Sequence, residues 1–234
     1  MRLNDPQVVA REYASERGLE GRRAAYRYAT GPDAPELALA AVAECRPKKV
    51  LEVGCGPGEA AARVQQELGA EVVAIDISPR MVELARARGV DARVGDVQEL
   101  PFEDARFDCA LAAWMLYHVP QVDRALEELA RVVRPGGRLV AVTNARGHLQ
   151  ELRDLLGGEF PTRSFSDANA HDLLRRHFDS VDTVDAGGWI EFPDRAAVAS
   201  YVEASRALWR RGLPDSFDGP LRVRRAPVVY VVTK

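Results

Sequence analysis

The run Val50-Leu-Glu-Val-Gly-Cys-Gly-Pro-Gly58 limits what this chain of 234 residues can fold into more than any other segment. A short apolar strand enters a turn with glycines at 54, 56 and 58, and residues 59–68 follow with helical spacing. A strand that turns straight into a helix belongs inside a parallel sheet, because the chain must cross a face of the sheet before it can add the next parallel strand. The glycines remove Cβ atoms that would keep a ligand away from the backbone. The helix N-terminus beyond them offers unpaired N–H groups that favour negative charge. Dinucleotide-binding turns share this design but space their glycines G-x-G-x-x-G. Counted from Gly54, the last place of that pattern holds Glu59, so the dinucleotide fingerprint is not met.

The pattern repeats downstream. Strands are expected at 49–53, 71–76, 91–94, 107–113 and 138–143, with helices at 59–68, 79–88 and 122–133 between them. Pro79 opens the second helix and Gly89 ends it, and Pro135-Gly136-Gly137 closes the third. Short apolar strands alternating with helices imply a parallel sheet with helices on both faces. Residues 5–45 read as mostly helical, broken near Thr30-Gly31-Pro32. Beyond the fifth strand the pattern predicts helices at 148–156, 167–177 and 194–211. It also predicts a sixth strand at 180–184 and a seventh, PVVYVV, at 227–232.

The formal net charge of −3 and pI near 5.9 leave no basic excess to grip a phosphate backbone, so nucleic acid is not an expected partner. No apolar run approaches the roughly 18 residues that span a membrane. The first residues, MRLNDPQVVAREYASERG, lack the apolar stretch of a signal peptide, and a cytoplasmic protein is expected. Cys45, Cys55 and Cys109 are scattered and odd in number, which suggests neither a disulfide framework nor a zinc site.

Two acids follow strand ends. Asp76 closes the second strand, where a carboxylate can accept hydrogen bonds from ribose hydroxyls or serve as a turn residue. In Gly95-Asp96-Val97, after the third strand, the carboxylate can accept a bond from an exocyclic amine or form a turn. With Glu52-Val-Gly-Cys-Gly-Pro-Gly58, Leu100-Pro-Phe102 before Phe107-Asp108, and Leu129-Ala-Arg-Val-Val-Arg-Pro-Gly-Gly137, these residues resemble the class I S-adenosylmethionine-dependent methyltransferase family, of the small-molecule type, over roughly residues 45–157. The resemblance implies an α/β, Rossmann-like seven-stranded, mostly parallel sheet with helices on both faces and its last strand antiparallel. It implies S-adenosylmethionine as cofactor, with Gly54, Gly56 and Gly58 near its methionine part, Asp76 at the ribose, and Gly95, Asp96 and Val97 at the adenine. Ile77 and Met81 would pack on the nucleoside, and Glu52, Cys55 and Ala113 complete the set. Glu52 can instead serve the loop, and Cys55 reads as a small space-filler. One domain is expected over 1–234: an N-terminal helical cap over 1–45, a cofactor-binding core over 46–157, and an acceptor and lid region with the last strands over 158–234.

The fourth strand ends in Ala112-Ala113-Trp114-Met115, without the Asx-Pro-Pro-aromatic pattern of enzymes that methylate base amino groups or glutamine amides. Ala113 also has no donor for the metal of catechol-type enzymes, so no metal is expected. Trp114-Met-Leu-Tyr-His118 and Asn144-Ala-Arg-Gly-His148 follow strand ends, where open α/β sheets bind ligands. His118, His148 and Tyr117 are the candidates for taking a proton from the acceptor, although His118 can equally cap the next helix and His148 open one. Tyr13, Arg23, Trp114 and Asn144 are the candidates for holding substrate. Arg206, Arg210, Arg211, Arg222, Arg224 and Arg225 read as solvated surface or, alternatively, as a grip on an anionic acceptor. The function expected is methyl transfer to oxygen or nitrogen of a small molecule by a monomer or homodimer. The alternatives are a non-catalytic S-adenosylmethionine-binding protein and a methyltransferase acting on RNA or protein.

Overall fold

The computed structural model describes residues 17–157, 164–205, 209 and 211–234. The main sheet has seven strands: β2 (Lys49–Val53), β3 (Glu71–Asp76), β4 (Asp91–Val94), β5 (Phe107–Ala113), β6 (Val133–Asn144), β7 (Ser180–Asp185) and β10 (Pro227–Thr233). Their spatial order is β4-β3-β2-β5-β6-β10-β7. β10 runs antiparallel to both neighbours, β6 and β7, and the remaining pairs are parallel. This is the Rossmann-like arrangement that the sequence implies. The order reverses between β2 and β5, so the carboxyl ends of these two strands flank a crevice, the usual place for a ligand in such sheets.

The period-two alternation of the strands divides the interior into two cores. Val50, Val72, Ala74, Cys109, Leu111, Val140 and Val142 face α2 (Ala34–Glu44), α3 (Glu59–Leu68) and α4 (Pro79–Ala87). Leu51, Val53, Val73, Ile75, Ala110, Ala112, Leu139 and Ala141 face α5 (Val122–Val132) and α7 (Ala170–Arg175). Local signals set the ends of these helices. Asp33 caps α2 by accepting the Glu36 N–H, and Ser78 caps α4 ahead of Pro79 by accepting that of Met81.

A third core was not legible in the sequence. β1 (Ala29–Thr30), β8 (Gly188–Phe192) and β9 (Leu221–Arg225) form a small antiparallel sheet in the order β1-β8-β9. Its inner side chains Ile190, Phe192 and Val223 pack with α6 (Gln150–Leu156) through Leu152 and Leu156, and with α8 (Arg195–Ala204) through Val198, Tyr201 and Val202. α1 (Arg17–Ala24) lies against α8. This unit draws on the N-terminal segment, the chain after β6 and the chain after β7 together. Several expected boundaries shift with it. The 167–177 helix shortens to Ala170–Arg175 and the 194–211 helix to Arg195–Ala204, while β6 starts five residues before the expected 138 because Val133 pairs with Phe107.

Arg225 corrects the reading of the C-terminal arginines as solvated. It is 3% exposed and donates to the carbonyls of Thr30 and Pro32, which fastens β9 to the chain after β1. Arg222 stacks 4.0 Å over Trp189 and pairs with Glu191 at 3.2 Å. Arg206 and Arg210 lie outside the described residues.

Between β4 and β5 the chain is held by one buried acid. Glu128 of α5 accepts the Leu100 N–H at 2.8 Å and two bonds from Arg131, which in turn donates to the carbonyls of Leu100 and Phe102. The Arg131 guanidinium beside it holds the Glu128 carboxyl below the usual range. Glu128→Ala removes charge-assisted bonds worth about 1.5–3 kcal/mol in aggregate. The expected outcome is a Tm lower by roughly 3–12 °C in a calorimetric scan, at about 2–4 °C per kcal/mol for a chain of this size. An unchanged Tm would show that the connection needs no such tie.

Candidate functional site

The three glycines of the turn do different work. All have left-handed φ, +63° at Gly54, +54° at Gly56 and +80° at Gly58, a region costly for residues with a Cβ. A Cβ at Gly58 would lie 2.6 Å from the Ala85 Cβ of α4, and one at Gly54 would lie 2.6 Å from the Met115 Cβ after β5. Those two glycines are required by packing. A Cβ at Gly56 would meet nothing within 4 Å. Of the three, Gly56 alone faces open space, which narrows the expectation that all three clear the way for a ligand.

Asp76 closes this loop. Its Oδ2 accepts the Gly56 N–H and its Oδ1 the Ser78 N–H, both at 2.8 Å. Each oxygen keeps a second lone pair. Asp76 is 9% exposed, and burial raises its pKa against the opposing pull of the two N–H groups. Glu52, on neighbouring β2, is 4% exposed. Burial pushes its carboxyl up to about 8; the Ala61 backbone N–H opposes that shift, and nearby Asp76 adds to it. Glu52 Oε2 has no hydrogen-bond partner among the described residues. A buried carboxylate oxygen left unpaired is costly, and here it lies beside a second buried acid at the mouth of the sheet. Cys55 is buried, its N–H donates to Ile75 O at 3.1 Å, and desolvation drives its thiol pKa upward, in keeping with a space-filler.

Beyond β3 and β4 two apolar side chains stand open: Ile77 is 58% exposed and Val94 is 56% exposed. Val94 pairs with Asp76 across the strands. Sequence reasoning missed Val94; its place at the end of a short strand beside Asp76 was the available signal. Met81 is fully buried, so it offers no surface to a ligand and does not join Ile77 as expected. The Gly95 N–H donates to Asp76 O at 3.1 Å, and Val97 is buried. Asp96 accepts from the Gln98 N–H at 2.9 Å and from the Gln98 side-chain amide, whose oxygen accepts the Gln121 N–H at 3.0 Å. Its bonds within the protein are those of a turn former, and its half-buried carboxylate is braced by Gln98.

On the other side of the crevice, Ala113 ends β5 half-buried. Trp114 follows with φ +55°, uncommon for a bulky residue, and its N–H donates to Val142 O at 2.8 Å. Its indole N–H donates to Asn144 Oδ1 at 3.2 Å, so two residues 30 apart in sequence meet across the ends of β5 and β6. Tyr117 is buried and its ring lies 4.4 Å from that of half-buried His118. Tyr117 is near enough to Tyr26 and Tyr201 of the third core for their ionised forms to repel. Tyr26 keeps 41% of its surface exposed, while burial around its hydroxyl raises the pKa of that group.

His148 is 7% exposed, and its Nδ1 accepts the Ala226 N–H at 3.1 Å. With that lone pair engaged, the neutral ring carries its proton on Nε2. Arg23 pairs with Glu59, the first residue of α3, which directs it to the helix after the glycine loop. Tyr13 lies outside the described residues.

A family model for a methyltransferase domain matches residues 51–141. The chain is 40% identical over 119 residues to malonyl-acyl-carrier-protein O-methyltransferase of Pseudescherichia vulneris, across 50% of this chain and 47% of that protein. It is 37% identical over 183 residues to the "Probable tocopherol O-methyltransferase, chloroplastic" of Oryza sativa subsp. japonica, across 74% of this chain and 45% of the relative. The chain thus spans about half the length of these relatives. Among solved structures, an S-adenosylmethionine-dependent methyltransferase from Thermotoga maritima superposes with a TM-score of 0.62 at 23% identity, across 95% of this chain and 97% of that one. That likeness concerns the fold.

The raised pKa of Glu52 sets a pH dependence. As pH climbs from the ordinary 4.5 to about 8, the unfolded chain releases this proton while the folded chain keeps it. Folding therefore loses stability across that window, on the order of 5 kcal/mol. Glu52→Gln cannot ionise. The difference in Tm between Glu52→Gln and wild type, both without ligand, is expected to widen in favour of the variant from pH 5 to pH 8. A gap independent of pH would show that Glu52 is already ionised in the folded protein.

Proposed function

We propose, from the match to a methyltransferase domain over residues 51–141, that the chain is a class I S-adenosylmethionine-dependent methyltransferase that transfers a methyl group to oxygen or nitrogen of a small molecule. The observation that carries this reading is the opening at Gly56, bordered by Asp76 and by the unpartnered, buried Oε2 of Glu52. Two buried acids beside a vacant loop suit a ligand that brings both hydroxyl donors and positive charge. S-adenosylmethionine has both, and it supplies a methyl group already activated on a sulfonium.

In this reading the remaining lone pairs of Asp76 accept the ribose hydroxyls. Ile77 and Val94 flank the adenine, and Asp96, held by Gln98, accepts its amine beside Gly95 and Val97. Glu52 offers its spare oxygen to the ammonium of the methionine part, with Gly54, Gly56 and Cys55 forming the floor and Ala113 the adjoining strand end. Ala113 has no donor atom, and the reaction is proposed to run without a metal. Trp114, Asn144 and Tyr117 wall the acceptor side, with Tyr26 and Tyr201 within electrostatic reach of Tyr117. The protein aligns acceptor and methyl, excludes water and removes the acceptor proton. For that last step His118 is the better base. The Nδ1 of His148 is engaged by Ala226, so His148 serves to hold the chain after β6 against β10.

Asp76→Asn keeps the volume and removes the charge, and is expected to weaken S-adenosylmethionine binding roughly 10- to 100-fold in calorimetry. Binding of NAD as tightly as S-adenosylmethionine by the wild type, or an unchanged Kd in a folded variant, would overturn the cofactor assignment. With isotopically labelled cofactor and a panel of acceptors, label transfer read by mass spectrometry tests catalysis itself. His118→Ala should lower kcat by about 10²- to 10⁴-fold on a hydroxyl acceptor while leaving cofactor affinity intact. A near wild-type kcat on such an acceptor would remove His118 from the mechanism. Activity is further expected to survive exhaustive chelation.

A further inference from the structure

Two of the three cysteines, far apart in sequence, come together away from the crevice. Cys109 is the third residue of β5 and fully buried, with Val50 and Arg138 as its partners on the neighbouring strands. Cys45 is the C-cap of α2 and half-exposed. It packs against the core that contains Cys109. Two independent ties fix the approach. Arg138, beside Cys109 in the sheet, donates to Ala41 O at 2.7 Å and to Glu44 at 3.0 Å, which holds the last turn of α2 over that strand. Asp108, next to Cys109, accepts the N–H groups of Lys48 and Lys49 at 2.8 and 2.9 Å, which pins the chain three residues after Cys45 to the start of β5. The Cys45 Sγ also donates to Val42 O of its own helix, at 3.1 Å.

We propose that Cys45 and Cys109 are a redox pair that closes to a disulfide under hydroperoxide, bracing α2 against the central strands. Cys45 is the attacking thiol. It has the solvent access that Cys109 lacks, and the hydrogen bond shared with Cys109, with Arg138 close by, holds its pKa below the ordinary thiol value. Cys109 is correspondingly raised and stays protonated as the donor of that bond. The Cys45 thiolate attacks one peroxide oxygen. The O–O bond breaks, the leaving hydroxide takes a proton to become water, and Cys45 becomes a sulfenic acid, oxidised by two electrons. Cys109 then gives its proton to the departing sulfenic hydroxyl as its sulfur attacks Cys45. The S–O bond breaks, a second water leaves, and the S–S bond forms. A thiol reductant then returns both cysteines to thiols by two exchange steps and leaves as its own disulfide. The bridge lies near the amino end of β5, whereas the crevice lies at the carboxyl ends, so its effect is on stability. It would close a loop of about 64 residues in the unfolded chain.

The test is peroxide treatment of the intact folded protein, followed by thiol counting, peptide mass spectrometry and a thermal scan. The expected result is loss of two of three titratable thiols, a cross-linked peptide containing Cys45 and Cys109 lighter by two hydrogens, and reversal by dithiothreitol. A Tm higher by roughly 5–10 °C than that of the reduced protein should accompany it. Cys45→Ser, at a half-exposed cap, should fold normally and show neither cross-link nor Tm gain. Sulfinic acid at Cys45 with Cys109 still free, a Cys45–Cys45 dimer on a non-reducing gel, or three thiols surviving peroxide would each overturn the proposal.

Discussion

The carboxylate of Asp76 joins three segments at one point. It receives the Gly56 N–H from the glycine turn and the Ser78 N–H from the entry of α4, while its own carbonyl receives the Gly95 N–H from the end of β4. The carboxyl ends of β2, β3 and β4 are therefore held together around a single residue. Because these contacts reach one lone pair on each carboxylate oxygen, the same group can brace the loop and still face a ligand. The choice between a structural and a binding role for Asp76, open in the sequence, does not have to be made. Its cost is a buried charge, and the rise in its pKa reports that cost.

Glu52 extends the constraint to a pair of acids. A single buried carboxylate can be satisfied by loop amides, but Glu52 keeps one oxygen without a donor and lies within electrostatic reach of Asp76. Like charges in a low-dielectric crevice disfavour each other's ionisation, and a cation between them reverses the sign of that effect. If the proposed methyl donor binds here, its binding and the protonation of Glu52 are linked: a ligand that brings positive charge should expel the proton that Glu52 otherwise retains at neutral pH. The site is built to be incomplete by itself, which fits a part of the molecule that contributes to binding more than to stability.

How much of this could be read in the sequence varied with the range of the contacts. The strands at 49–53, 71–76, 91–94 and 107–113 match the structure to the residue, because each is short, apolar and bounded by turn formers. Gly56, Asp76 and Asp96 stand out as candidates because a local motif carries them. The different roles of Gly54 and Gly58 were not legible, since they depend on Met115 and Ala85, residues that only the folded chain brings near. The small sheet was missed for the same reason. β1 has two residues, and β8 and β9 show their alternation only when Ile190 and Val223 are known to face the same core. Arg225 looked like surface because an arginine usually is, and the carbonyls that bury it come from residues nearly two hundred positions earlier.

The two halves of the crevice are mechanically coupled through Gly54. Trp114 leaves β5 in a left-handed conformation, a strain of about 1–3 kcal/mol for a residue with a bulky side chain. That turn sends Met115 against the glycine loop and carries Tyr117 within electrostatic reach of Tyr201 in the third core. The bond from the Trp114 indole to Asn144 and the bond from its backbone to Val142 hold the strained turn in place from β6. A Cβ at position 54 would collide with Met115, so the segment facing the acceptor can take this path only over a glycine. On the proposed reading, the motif on the cofactor side thus also fixes where the acceptor side begins, and the contacts farther out come from segments whose meeting no local pattern of the sequence records.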